Sequence, residues 1–97
     1  MLTSKQRAQL RSLANRLVPI IHVGKNGVNP MLIQQADDAL KARELIKGTV
    51  HQNVERETAD VAQELAQATE SEVVQVIGRK FVLYRANPEE PKIELKD

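Results

Sequence analysis

The chain has 97 residues, 41% of them hydrophobic and 28% charged, with a formal net charge of +1 and no cysteine. That length suits one domain around one modest core, the missing cysteines exclude disulfides and thiolate metal sites, and no apolar run approaches the roughly 20 residues that span a bilayer. The small net charge hides a polarity: residues 1–50 hold eight Lys/Arg against three Asp/Glu, and residues 51–97 hold six against ten.

The first segment, LTSKQRAQLRSLANRL, is expected to be a helix. Leu10, Leu13, Ala14 and Leu17 recur at the i, i+3, i+4, i+7 spacing of one buried stripe. Thr3 and Gln6 form a T-x-x-Q capping box at its start, and Pro19 marks its stop, because the residue before a proline resists helical backbone angles. From Met1 to Ala36 the charged residues are Lys5, Arg7, Arg11, Arg16 and Lys25, with no acid at all. The helix is therefore apolar on one side and basic elsewhere. PIIHV, residues 19–23, is short, β-branched and nearly all apolar, which predicts a buried strand.

HVGKNGVNP places Gly24 and Gly27 around Lys25-Asn26. Asn29 is a favoured N-cap and Pro30 a favoured first helical residue, so a second helix starts there with Leu32, Ile33, Ala36, Ala39 and Leu40 as its apolar face. ELIKGTVHQ, near residues 44–52, is the second strand, and Gly48 within it marks a bulge or a close backbone approach. ETADVAQELAQAT is the third helix, with Val61, Ala62, Leu65 and Ala66 inward and Glu57, Asp60 and Glu64 outward. That acidic face is a poor place for a polyanion.

EVVQVIGRKFVLYRA predicts a hairpin with strands at 73–77 and 81–84. Gly78-Arg79 fits a two-residue turn with glycine first, the type II′ preference. The tail NPEEPKIELKD, with two prolines and mixed charge, is expected to be a loose extension or an added edge strand. The order α-β-α-β-α-β-β predicts a single small α/β sandwich, a mixed sheet packed by helices. One domain over 1–97 is expected, with a compact core over about 1–86 and a C-terminal extension over 87–97.

Four readings compete for Gly24-Lys25-Asn26-Gly27. A hairpin turn would need a strand on both sides, and Asn29-Pro30 starts a helix on the far side. A mononucleotide P-loop needs Lys and Ser/Thr directly after the second glycine, and here Val28-Asn29 stand there. No nucleotide cofactor is expected. A structural strand-to-helix turn stays open, and so does binding of a polynucleotide backbone. For the latter, two glycines admit a phosphodiester close to the peptide, Lys25 adds charge, and the following helix points its positive end the same way. KH domains clamp nucleotide backbone with such a loop.

The remaining residues suggest no enzyme. Ser4, Ser12 and Ser71 have no recognisable elbow or histidine partner nearby and suit capping or surface roles. Two histidines, His22 and His51, are too few for an expected zinc site. Asp37 and Asp38 point apart on a helix and are expected to be solvated. Phe81 and Tyr84 are the only aromatic residues, too few for the stacking platforms of single-strand readers, which favours recognition of structured RNA through backbone and shape. Arg79, Lys80 and Arg85 make a second basic cluster that either extends such a surface or decorates an exposed turn.

LTSKQRAQLRSLA, PIIHVGKNGVNP, ARELIK and QVIGRKFVLYR, in this order and reaching about Arg85, resemble bacterial stand-alone CRM-domain proteins of the YhbY type. The resemblance implies a fold like the C-terminal domain of translation initiation factor three. It also implies RNA binding through the GxxG loop and association with precursors of the large (50S) ribosomal subunit. Relatives in plant organelles take part in group II intron splicing. Carried onto this chain, the loop is Gly24, Lys25, Asn26 and Gly27, and the adjacent basic surface comes from Lys5, Arg7, Arg11 and Arg16, with Arg79 and Lys80 as further candidates. Gly48 stands where the family commonly has an apolar residue, which puts the regularity of the second strand in question. The expectation is a non-catalytic, cytoplasmic protein that binds ribosomal RNA during large-subunit assembly, with no metal and no membrane partner. The alternative is an adaptor whose basic face meets an acidic protein.

Overall fold

The computed structural model describes residues 2–96; Met1 and Asp97 lie outside them. Its elements are α1 (Ser4–Ala14), β1 (Ile21–Val23), α2 (Pro30–Arg43), β2 (Leu45–Val50), α3 (Thr58–Thr69), β3 (Glu72–Ile77) and β4 (Lys80–Tyr84). The four strands form one mixed sheet in the order β1-β2-β4-β3. β1 and β2 are parallel, as the α2 crossover between them requires, while β4 runs antiparallel to both β2 and β3. The C-terminal ends of β1, β2 and β3 and the start of β4 therefore lie at one end of the sheet. This is the α/β sandwich expected from the element order.

Alternation along the strands sorts side chains into two cores. On one face Ile21, Val23, Ile46, Val50, Phe81 and Leu83 meet Leu32, Ala36 and Leu40 of α2 and Val61, Ala62, Leu65 and Ala66 of α3. On the other, Leu45, Val74, Val82 and Tyr84 meet Leu10 and Ala14 of α1, with Ile93 and Leu95 of the tail packed at the margin. The first face carries two helices and the second only one.

That imbalance explains where α1 departs from expectation. Leu10 and Ala14 are fully buried, but Leu13 is 42% exposed, because no second helix flanks α1 to cover that side of its stripe. The helix also stops at Ala14, five residues before Pro19. The Arg16 and Leu17 N–H groups donate to Leu13 and Ala14 three residues back, 3₁₀-type bonds that tighten the chain past the last α-helical turn and leave Arg16 beyond the helix. The Thr3–Gln6 box forms reciprocally, at 3.0 and 3.1 Å. β1 is an edge strand, not an enclosed one, with Ile21 and Val23 buried and His22 exposed between them.

Gly48 resolves as a close approach. β2 pairs regularly through it, facing Ile21 on one side and Phe81 on the other. A Cβ there would sit 2.7 and 2.8 Å from two Phe81 ring carbons. The sheet's one irregularity lies in β3 instead, between Val73 and Gln75. In the β3–β4 turn Gly78 has φ +58° and Arg79 does not share the positive sign, as type II′ requires.

The tail is neither a strand nor loose. Glu44, at the junction of α2 and β2, is buried and holds φ +64°. Its carboxylate accepts backbone N–H groups from Asn87, Lys92 and Ile93 at 2.6, 2.7 and 2.7 Å. The Gln9 side chain brackets the last turn of chain by donating to the Glu94 carbonyl and accepting from Lys96 N–H.

Candidate nucleic-acid interface

The Gly24–Gly27 loop connects the end of β1 to the start of α2. The Gly27 N–H donates to the Gly24 carbonyl at 2.9 Å, closing a four-residue turn. Lys25 and Asn26 keep negative φ and stand exposed at its tip, while Gly27 holds φ +63°. Only Gly27 needs glycine for its backbone angle. A Cβ added at Gly24 meets nothing within 4 Å, so the space over this peptide is open to a ligand rather than filled by packing.

At the start of α2 the Asn29 carboxamide accepts the Leu32 N–H at 2.9 Å. Pro30 has no N–H, so of the first three helical positions only Met31 keeps a donor to offer an anion. The helix end contributes less than its dipole alone suggests.

Topology brings a second basic segment to the same end of the sheet. His51 follows β2 and its N–H donates to the Val23 carbonyl at the root of the loop. Its own carbonyl accepts from Arg79 Nη1 at 3.0 Å, and the Val50 N–H donates to the Arg79 carbonyl at 2.8 Å. The imidazoles of His22 and His51 meet edge to face with centroids 5.7 Å apart. The loop, both histidines, Arg79 and Lys80 thus share one rim, tied together through backbone hydrogen bonds. Parts of three acid-free stretches, 1–36, 45–54 and 73–88, meet there.

The rim has a boundary. Arg79 also lines a hollow with Glu55, Glu57 and Asp60 at the start of α3, and a polyanion would be repelled from that side. On the side facing α1, the described residues that line the cleft beside Lys80 include no carboxylate.

The helix-one cations divide by position. Arg7 donates from Nη1 to the Val73 carbonyl at 2.8 Å and lies 3.9 Å from the Glu72 carboxylate, beside the start of β3. Lys5 precedes it in the same first turns of α1. Both sit at the opposite end from the loop, about 15–20 Å away across a six-residue strand. Arg11, in the last turn, and Arg16, just past it, stand on the nearer part of the chain.

Arg85 leaves the basic cluster altogether. Its guanidinium donates to Asp37 Oδ1 at 2.8 Å and to the Thr69 and Asp37 carbonyls. Asp37 is therefore paired, not simply solvated, and the Arg85 hydrogen bond, with help from Lys41, holds its carboxyl below the usual range despite burial. These residues line a hollow of about 620 Å³ with Glu70, Glu89 and Glu90, an acidic setting at the far end of the molecule. Sequence spacing placed Arg85 one residue after a basic strand; the strand's length carries it to the other end.

A family model for the CRS1/YhbY (CRM) domain matches residues 2–85. The chain belongs to the CRS1/YhbY domain family. It is 50% identical over 95 residues to the "Probable RNA-binding protein YqeI" of Bacillus subtilis, covering 98% of this chain and 99% of that one. It is 37% identical over 95 residues to a Haemophilus influenzae protein named "RNA-binding protein", covering 97% and 94%. The solution structure of the hypothetical protein SAV1595 from Staphylococcus aureus superimposes with a TM-score of 0.82 at 49% identity, covering 99% of this CRM chain and all of the other. No helix among the described residues is long and apolar enough to cross a membrane.

Proposed function

We propose that this CRM domain is a non-catalytic RNA-binding protein that acts on ribosomal RNA of large-subunit precursors. The observation that carries the reading is the meeting of Gly24–Gly27 with Arg79 and Lys80 on one basic rim, bounded on its α3 side by Glu55, Glu57 and Asp60. Gly24 and Gly27 admit a phosphodiester to the peptide, Lys25 neutralises it, and Asn26 offers an amide donor beside it. Arg79 and Lys80 extend the footprint along the rim, Arg11 and Arg16 widen it toward α1, and Lys5 and Arg7 are reached only by RNA that runs the length of that helix. The names of the relatives support RNA as the partner class.

Each phosphate neutralised releases condensed counterions, so affinity falls steeply with salt. Lys25→Glu combined with Lys80→Glu is expected to weaken binding to a structured ribosomal RNA fragment at least tenfold and to lower the log–log salt slope by about two. Lys5→Glu, at the other end, is expected to cost far less. Filter binding over a salt series reads both quantities, and unchanged slope and affinity in the double variant would sink the mechanism. In-cell crosslinking with sequencing tests the assembly role: enrichment on RNA other than ribosomal precursors removes that role and leaves RNA binding standing.

A further inference from the structure

α1 covers only part of its face of the sheet, and the uncovered part borders the loop rim. Past the last turn of α1, Asn15, Lys47, Gln75, Ile77, Lys80 and Val82 enclose a cleft of about 130 Å³. Val82 is buried beneath it, and Ile77 stands 63% exposed at its edge. Lys47 leans across one side, with Nζ 3.4 Å from the Leu17 carbonyl. Among the described residues the Asn15 and Gln75 amides and the Lys80 ammonium have no side-chain partner. No carboxylate lines the cleft.

Each of these properties narrows the occupant. The volume is well below the roughly 300 Å³ at which small-molecule pockets begin, so the cleft takes part of a larger ligand and not a free cofactor. Two lysines without an acid select a polyanion. An aliphatic floor suits one flat ring, and two free amides supply both donors and acceptors for the edge of a heteroaromatic ring. A base can enter a cleft between a helix end and a sheet only when it is out of the helical stack, as in loops and bulges.

We propose that this cleft receives one unpaired nucleobase of the RNA whose backbone crosses the Gly24–Gly27 rim. Asn15 and Gln75 bond the base edge, Val82 and Ile77 contact its face, and Lys47 and Lys80 hold the phosphates on either side. The inference rests on the RNA-binding reading and sharpens it: the preferred RNA is a helix interrupted by unpaired nucleotides, not a continuous duplex.

The test compares a hairpin RNA carrying a short bulge with a fully paired RNA of equal length. Asn15→Ala combined with Gln75→Ala removes the amides without changing charge. This variant is expected to lose about tenfold or more in affinity for the bulged RNA, less than twofold for the paired one, and to keep the wild-type salt slope. Lys25→Glu is expected to weaken both RNAs and lower the slope. With 2-aminopurine in the bulge, the wild-type chain is expected to change its fluorescence on binding and the amide variant is not. Wild-type affinity for the bulged RNA in the double variant, with unchanged fluorescence response, overturns the base cleft while RNA binding stands. Absence of salt-dependent binding of the wild-type chain to either RNA overturns both readings.

Discussion

At Gly27 the backbone holds φ +63°, and an added Cβ would meet no neighbouring atom, so any cost there comes from the chain's own sterics. Gly27→Ala is expected to destabilise the fold by about 1 kcal/mol, because an L-residue pays that much for a left-handed angle. In a domain of this size the loss reads as a fall in Tm of about 4–8 °C. Gly48 is the opposite case: its backbone is an ordinary strand, but the fully buried Phe81 ring occupies the space of its missing side chain. Alanine normally gains about 0.5 kcal/mol over glycine in a strand. Here overpacking against a ring that cannot retreat costs about 1–3 kcal/mol and wins. Gly48→Ala is therefore expected to lower the urea midpoint with an unchanged m-value. A glycine was visible in the strand pattern; that an aromatic from a strand distant in sequence fills its place was not, since it depends on β4 lying beside β2.

Glu44 joins elements that are distant in sequence. Its carboxylate is the hub on which residues 87–93 are threaded back to the α2–β2 junction. Burial pushes this carboxyl up, but three backbone N–H donors outweigh it and the carboxyl titrates below its usual value. A native pKa below the unfolded one gives stability that is present above about pH 4.3 and lost as pH falls through the native value. Wild-type Tm is expected to drop steeply from about pH 4.5 downward, with Asp37 contributing in the same sense. Glu44→Gln is expected to flatten that dependence and to cost about 1.5–3 kcal/mol at pH 7, the range for hydrogen bonds to a charged group. Limited proteolysis is expected to cut the variant first within residues 87–96. In sequence Glu44 only opens the second strand segment, and the tail carries no periodic pattern, because its order comes from one distant acceptor and not from local periodicity.

At the scale of the molecule, charge follows the sheet. One rim gathers Lys25, Arg79 and Lys80, while Asp37, Glu70, Glu89 and Glu90 surround the hollow at the far end. A polyanion approaching such a chain is steered before it makes contact. Raising monovalent salt from 50 to 200 mM is therefore expected to slow association more than it speeds dissociation, a split that stopped-flow fluorescence measures directly.

Periodicity and caps determined the seven elements and their order. The T-x-x-Q box, the Asn29-Pro30 start, the i, i+3, i+4 stripes and the Gly-first turn are local signals, and local sterics and hydrogen bonding suffice to write them. The loop was legible for the same reason. Only tertiary structure decided which cations share a surface. Strand order β1-β2-β4-β3 brought Arg79 and Lys80 to the loop and sent Arg85 to the other end of β4. Placing a single helix on one face left Leu13 partly exposed and the Asn15–Gln75 cleft open. These outcomes depend on contacts between segments tens of residues apart, which no local window contains.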